Sequence, residues 1–338
     1  MTDIDISSQQ AAIDEFQGEP GDQPVVRARF EHNGSPRYML YTIKRFGFDH
    51  DHGFHLDLQL VSDELDEGRE TVEAKLQTGD ADLIDIDYIS AARERAGGAP
   101  IVAVHPYGQT VGGLVTPAES PVAGLADLSG HRIGVVRRLD KNWILVRAAC
   151  RKFHGFDPDE TATAVEAGSK VELTRLLEDG EVEGICQFWQ LVPAIVETGP
   201  YREVMPMSRL VDRLAASDGE GPIPVSTFLT SEAYLADHPD GIRGFRGAFR
   251  DAVDRLQRDD ALWETIGEEL MYEDDPAVVR AVRDRWREMV VPDWDDSTVE
   301  GMERLFDELR AVVGPDALGV DELPEGLFRT DLEAEGRP

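Results

Sequence analysis

The chain has 338 residues, room for two domains of ordinary size, and 41% of them are hydrophobic, which supports a real core and excludes a disordered chain. Its 67 acidic residues outnumber the 34 basic ones, for a formal charge of −33 that is spread along the chain rather than gathered in a tail. Such a field argues against nucleic acid and anionic membrane as partners, and a dispersed acid excess reads as a surface adapted to high salt.

In chain order, the N-terminal MTDIDISSQQAAIDEF is acidic and has neither a basic stretch nor an apolar core. No signal peptide is therefore expected, and the cytoplasm is the predicted compartment, or an extracytoplasmic one if a leader precedes the sequence as given. No run approaches eighteen apolar residues, so no membrane insertion is expected. Residues 25–30 (VVRARF) predict a strand, and YMLYTIKRFGFDHDHGFHLDLQLV predicts a helix, a Gly-Phe-Asp turn and a second strand. The helix in EAKLQT stops at a Gly79 cap. The strand in DADLIDI then carries Asp82, Asp85 and Asp87, carboxylates for which a buried strand has no evident use. Residues 97–124 hold short strands at 101–104 and 112–116, then Pro, Ser and Gly, and read as a linker leaving a first lobe.

The same pattern returns at an offset of 101 residues, the distance from Gly79 to Gly180. Leu76 falls on Leu177, Asp82 on Glu183, Ile84 on Ile185 and Tyr88 on Trp189. Upstream, residues 132–136 (RIGVV) and WILVRAACRKFHGFDPDETATAV repeat the strand, helix, Gly-Phe-Asp turn and strand. Each half is strand–helix–strand–helix–strand, the unit of a doubly wound parallel sheet. Residues 225–230 have the shape of 112–116, so one strand leaves and another returns in a double crossover. The rest, to about 313, is helical, with a helix starting near Asp237 or His238. The expected boundaries are 24–116 with 222–315 for lobe I, 117–221 for lobe II, and 316–338 for a loose acidic tail. Cys150 and Cys186 sit in apolar runs and read as buried thiols.

The ordered series RFGFDHDHGFHLDLQLV, KLQTGDADLIDI, API-VAV (99–104), ADLSGHRIGVV, LLEDGEVEGICQFW and TSEAYLADHPDGIRGF resembles the SsuA/THI5-like family of periplasmic-binding-protein-like proteins over residues 25–255. The resemblance implies an α/β fold of the type II periplasmic-binding-protein kind, two doubly wound lobes joined by a two-segment hinge and closing over a small ligand. It implies a monomer serving the permease and ATPase of an ABC importer for sulfonates, nitrate or thiamine precursors.

Ligands of open α/β sheets bind outside the carboxyl ends of the strands, beside helix N-termini. In lobe I that rule selects Arg37 and Tyr38, with Asn33 and Ser35; Asp85, Asp87 and Tyr88; His105 and Tyr107, with Gln109; and Ser226 and Thr227 on the return strand. In lobe II it selects Arg137, Arg138, Lys141, Asn142 and Trp143, then Gln187 and Trp189, with Phe188 and Gln190. RRLDKNW puts three cations within five positions at a helix start, suited to a carboxylate, sulfonate or phosphate. The alternative is that Asp140 caps the helix and the arginines pair with surrounding acid. The aromatic residues either stack on a flat ligand or belong to the core. Asp87 either meets an ammonium of a zwitterionic ligand or caps the helix that starts near Ser90. HDHGFH, with His50, His52 and His55, suggests a metal, but it lies at the end of the sheet away from the expected ligand and reads as a solvated turn.

Two functions of different class follow. The first is non-catalytic solute binding, with no catalytic residue, cofactor or metal. The second is a cytoplasmic enzyme or metabolite-binding protein on the same scaffold. A branch of the resembled family makes a pyrimidine from pyridoxal phosphate and its own histidine, with a reactive His after the first strand and a cysteine-rich run near the return crossover. Here the corresponding stretches are NGSPRYML and GPIPVSTFL, with neither residue. No nucleophile elbow, phosphate loop or metal motif appears.

Overall fold

The computed structural model describes residues 6–62, 72–216 and 221–332. Its strands are β1 (Val25–Glu31), β2 (His55–Val61), β3 (Ile84–Asp87), β4 (Ile101–Gly108), β5 (Gly113–Pro117), β6 (Arg132–Val135), β7 (Thr163–Glu166), β8 (Gly184–Gln187), β9 (Tyr201–Pro206) and β10 (Ser226–Ser231). The chain forms two compact units. Unit 1 comprises Met1–Gly108, Ser226–Asp296 and Pro324–Pro338; unit 2 comprises Gln109–Val225 and Ser297–Leu323.

In unit 1, β1 pairs in parallel with β2, and β10 lies antiparallel between β3 and β4. A parallel bridge, Ala28 to Leu83, and the bond from Arg29 N–H to the Leu83 carbonyl (3.1 Å) set β1 beside β3. The strand order is therefore β2-β1-β3-β10-β4. Phe228 of β10 sits at the centre of the core, with the rings of Phe30, Tyr107, Phe245 and Phe249 at 5.0 to 5.9 Å. Such edge-to-face pairs add to burial through the ring quadrupoles.

Unit 2 has the order β7-β6-β8-β5-β9, with β5 antiparallel to both neighbours. Strand for strand this is the arrangement of unit 1, so the sequence echo is a repeated topology. Gly79 and Gly180 both have positive φ, 80° and 69°, the left-handed turn that ends each helix and that a side chain resists. Val115, Leu173, Leu177, Val182 and Ile185 pack its core.

Two expectations differ from what is observed. The strand at 112–116, expected with lobe I, pairs with β8 and β9 in unit 2, and the chain passes between the units four times rather than twice. The end of the chain is not a loose tail throughout. Leu327 and Phe328 run along β4, with Ala103 N–H donating to the Leu327 carbonyl at 2.7 Å, and Leu327 and Leu332 are buried. Their apolar side chains are what hold an otherwise acidic stretch.

Candidate functional site

Because β10 runs antiparallel, its amino end lies at the carboxyl ends of β3 and β4. Ser226 pairs with Asp87 and Gly108, and Thr227 with Ile86 and Pro106. The loop after β1 joins this edge through a hydrogen bond between Ser35 and the Tyr107 hydroxyl, which also accepts from Trp286 Nε1 at 2.9 Å. Burial pushes the Tyr107 pKa up and keeps it a phenol. Arg37, only 4% exposed, donates to the Gly34 carbonyl (3.0 Å) and the Tyr38 hydroxyl (3.1 Å), with its guanidinium carbon 4.7 Å from the Tyr38 ring centroid. Arg37 makes no ion pair among the described residues.

Arg37, Asp85, Asp87, Tyr107, Ser226 and Thr227 thus share one edge of unit 1. Asp87 caps the helix Tyr88–Ala96, its carboxylate accepting from Ser90 N–H (2.9 Å) and Ser90 Oγ (2.8 Å). Tyr38 and Tyr88 are core residues, packed edge-on against Trp263 and near Phe328 respectively. His105 lies within β4, because the strand continues through Pro106 to Gly108. A proline is tolerated there since β4 is an edge strand with only isolated bridges on its outer side. His105 is fully buried, 4.6 Å from Phe249, and burial holds its pKa well below the usual value, so the imidazole is neutral.

Unit 2 brings a different set together. Lys141 opens the helix Lys141–His154 and Lys170 opens the helix Lys170–Glu178, at the carboxyl ends of β6 and β7. Their caps are Asp140, accepting from Asn142 N–H (2.8 Å), and Ser169, accepting from Glu172 N–H (3.1 Å). Both lysines are more than nine-tenths buried. Their ammonium groups lie 5.5 Å and 5.2 Å from the centroid of Phe188, the residue after β8. Lys141 Nζ also approaches Thr110 Oγ1 at 3.4 Å. Around them, Gln187 Nε2 donates to the Lys170 carbonyl (3.0 Å) and Thr174 Oγ1 (2.8 Å), and Asn142 Oδ1 accepts from Gly112 N–H (2.9 Å). Gly112 leaves no room for a Cβ, which would fall 1.7 Å from the Gln187 carbonyl oxygen. Two ammonium groups over an aromatic face, beside two helix N-termini, are equipped to hold an anion.

The RRLDKNW cluster divides. Arg138 pairs with Asp159 at 2.6 Å, Arg137 is exposed, and Trp143 is core, its indole N–H bonded to Asp159 at 3.0 Å. Trp189 is likewise core. Lys141 and Asn142 remain with the buried set. Lys170 was not selected from sequence, although it is one of five lysines in the chain and directly follows the Ser169 cap. The carboxyl-end rule applied to the second strand of that half finds it.

Residues 39–259, more than half of the chain, match the sequence model of the NMT1/THI5 like family. The curated proteins compared contain no match. Among solved structures, the chain is similar to the alkanesulfonate-binding protein SsuA of Xanthomonas axonopodis pv. citri bound to MOPS, with TM-score 0.72 and 17% identity over 91% of this chain and 99% of that one. It is similar to the periplasmic aliphatic sulphonate binding protein SsuA of Escherichia coli, with TM-score 0.65 and 17% identity over 86% and 94%. It is also similar to the desulfurization enzyme DSZB, with TM-score 0.55 and 14% identity over 90% and 98%. These likenesses show the fold, that of the periplasmic binding proteins.

Proposed function

The chain belongs to the NMT1/THI5-like family, and from that premise we propose that it is a solute receptor binding a small organic anion as the substrate-binding component of an ABC-type importer. The observation that carries this reading is the meeting of Lys141 and Lys170 at Phe188, in a protein with only five lysines and a net charge of −33. Burying an ammonium is costly, and this chain places two of its five lysines here, where two compact charges can meet one ligand. The sulfonate ligands of the two SsuA neighbours direct the reading to sulfonates first, with carboxylates and phosphate esters as comparisons. A receptor for an importer works outside the cytoplasm, so this reading carries an extracytoplasmic location instead of the one expected from the N-terminus. No helix among the described residues is long and apolar enough to cross a membrane.

The neighbouring desulfurization enzyme keeps a catalytic reading in view. A thiol-based reaction is disfavoured, since burial pushes Cys150 up to about 12 and Cys186 well above its ordinary value, leaving no thiolate at neutral pH.

The test is a thermal-shift screen at molar KCl with alkanesulfonates, carboxylates and phosphate esters, followed by calorimetry. At least one alkanesulfonate raises the melting temperature and is recovered unchanged. Failure of all three classes to move it overturns the proposal, and consumption of the ligand replaces the receptor with an enzyme.

A further inference from the structure

The sequence HDHGFH, expected as a solvated turn, divides into two environments. His52 turns toward the helix Pro239–Arg258, its Nε2 lying 2.8 Å from Asp251 Oδ2. His50 and His55 turn toward each other, with His55 Nδ1 and His50 Nε2 3.5 Å apart. Asp49 completes the group, one ligand atom from each of the three lying within 4.8 Å of the others. The turn fixes this geometry. Gly47 ends the helix Pro36–Phe46 with positive φ, the short helix Phe48–Asp51 presents Asp49 and His50 in succession, and His55 begins β2 in register with Val25 of β1.

Asp49 is the second observation. It is fully buried, and its Oδ2 is committed to Lys44 Nζ (2.5 Å) and Leu56 N–H (2.9 Å). Its Oδ1 is equally buried and has no hydrogen-bond partner. Buried carboxylate oxygens are nearly always satisfied, so an orphan on a carboxylate that lies beside two imidazoles marks a missing partner. Two imidazole nitrogens on one tetrahedral zinc, each at about 2.0–2.1 Å, stand roughly 3.3–3.4 Å apart, close to the spacing found here. His55 is buried whereas His50 is exposed, so the group has a rigid side and an open one.

We infer that Asp49, His50 and His55 form a binding site for a divalent first-row transition ion of the zinc class, with the remaining coordination position open to water on the His50 side. Two neutral nitrogens and one oxygen select such an ion over calcium or magnesium, which take oxygen ligands. Lys44 and the Leu56 amide are the outer partners that orient the carboxylate, the role that hydrogen-bonded second partners play in such centres. The site lies at the amino end of β2, away from the carboxyl-end residues of unit 1, and so is separate from the solute reading. Its effect is to fasten the turn to the strand.

The test uses untagged full-length protein, stripped with a chelator and titrated with Co²⁺ and then Zn²⁺ at high KCl with excess Mg²⁺, so that the acidic surface is occupied. One Co²⁺ per chain is expected, with the visible bands of a low-coordinate ion, displaced by Zn²⁺, and a higher melting temperature in Zn²⁺. His50→Ala, an exposed position outside the core, should weaken binding at least about 100-fold. His154→Ala, an exposed histidine in unit 2, should bind as the parent does. Absence of a saturable Co²⁺ spectrum, or a His50→Ala protein that binds as tightly as the parent, overturns the site. A melting temperature unmoved by Zn²⁺ despite binding overturns its fastening role. Sulfonate binding is unaffected by any of these results, which keeps the two readings distinguishable.

Discussion

The two units share a strand order and differ in how they place and neutralise charge. At the carboxyl ends of its strands, unit 1 offers a buried guanidinium, Arg37, held over the Tyr38 ring and tied to the Gly34 carbonyl. Unit 2 offers two ammonium groups, Lys141 and Lys170, over Phe188. The Gly-Phe-Asp turn, present in both, shows the reverse allocation. In unit 1 Asp49 meets a lysine, Lys44, and both side chains are fully buried. In unit 2 Asp157 meets two arginines, Arg147 and Arg151, that remain partly in water. A planar, weakly hydrated guanidinium tolerates partial exposure and several partners, whereas an ammonium is a point charge that must be matched closely. The repeat conserves backbone geometry, and each copy solves its electrostatics separately.

The sharpest way to break this comparison is to neutralise the two turn aspartates. Asp49→Asn leaves the Lys44 ammonium buried and uncompensated, a change that typically costs about 3–5 kcal/mol. Asp157→Asn leaves arginines that reach solvent and an amide that still accepts from Asp159 N–H, so about 1–2 kcal/mol is expected. Urea unfolding of the two variants measures both; equal losses would mean that burial of the pair does not decide its contribution.

The lysines of unit 2 come next. Lys170→Met keeps the stem and removes the charge, and should weaken anion binding by roughly 10–100-fold, the range expected for one charge-assisted contact. The apolar stem is retained, so the loss should show in binding more than in stability. Arg37→Met makes the contrast: its bonds to Gly34 and Tyr38 are lost, so stability falls. Calorimetry with a bound alkanesulfonate and thermal melts of both variants separate the roles. Full affinity in Lys170→Met would remove it from the site.

A smaller difference separates the echoed carboxylates before the third strands. Asp82 accepts from Arg27 N–H (2.9 Å), Nε (2.8 Å) and Nη2 (2.6 Å), and Glu183 accepts from the same three groups of Arg132 at 2.6, 3.3 and 2.9 Å. The aspartate side chain is 5% exposed and the glutamate 34%. Asp82→Asn should cost about 1.5–3 kcal/mol and Glu183→Gln at most about 1 kcal/mol. A larger cost for Glu183→Gln, read from denaturant midpoints, would reverse the assignment.

These pairs also show what the sequence made legible. The offset from Gly79 to Gly180 exposed the repeat, because cap, helix stripe and buried strand are local patterns with their own periods. The partner of Asp82 was not legible, since Arg27 lies 55 residues away and only the parallel contact of β1 with β3 joins them. For the same reason the strand at 112–116 was readable as a strand but not as a member of unit 2: alternation defines a strand, and neighbours define its sheet. At the candidate site, helix starts were legible at Lys141 but the meeting with Lys170 was not, as it depends on three elements converging at Phe188. His50 and His55 stand out as a motif in the sequence, but the burial of Asp49 Oδ1 without a partner depends on how the turn packs.

The smallest expected effect concerns acid. Burial alone would push the Asp157 carboxyl up, but hydrogen bonds from Arg147 and the Asp159 amide, with the charges of both arginines, hold it below the ordinary carboxylate value. A group depressed in the folded state binds its proton more readily when unfolded, near about 3.9. Its stabilisation is therefore complete above that value and is lost as the pH falls through the lower folded one. Parent and Asp157→Asn should differ most in stability at neutral pH and converge as the pH falls through the lowered folded value. Protonation of the acidic surface also relieves self-repulsion, but it does so in both proteins and cancels in the difference. Denaturant midpoints measured from neutral to acid pH supply that difference. A gap that stayed constant with pH would mean the carboxyl's charge contributes nothing, and that Asp157 acts only as the cap of the turn.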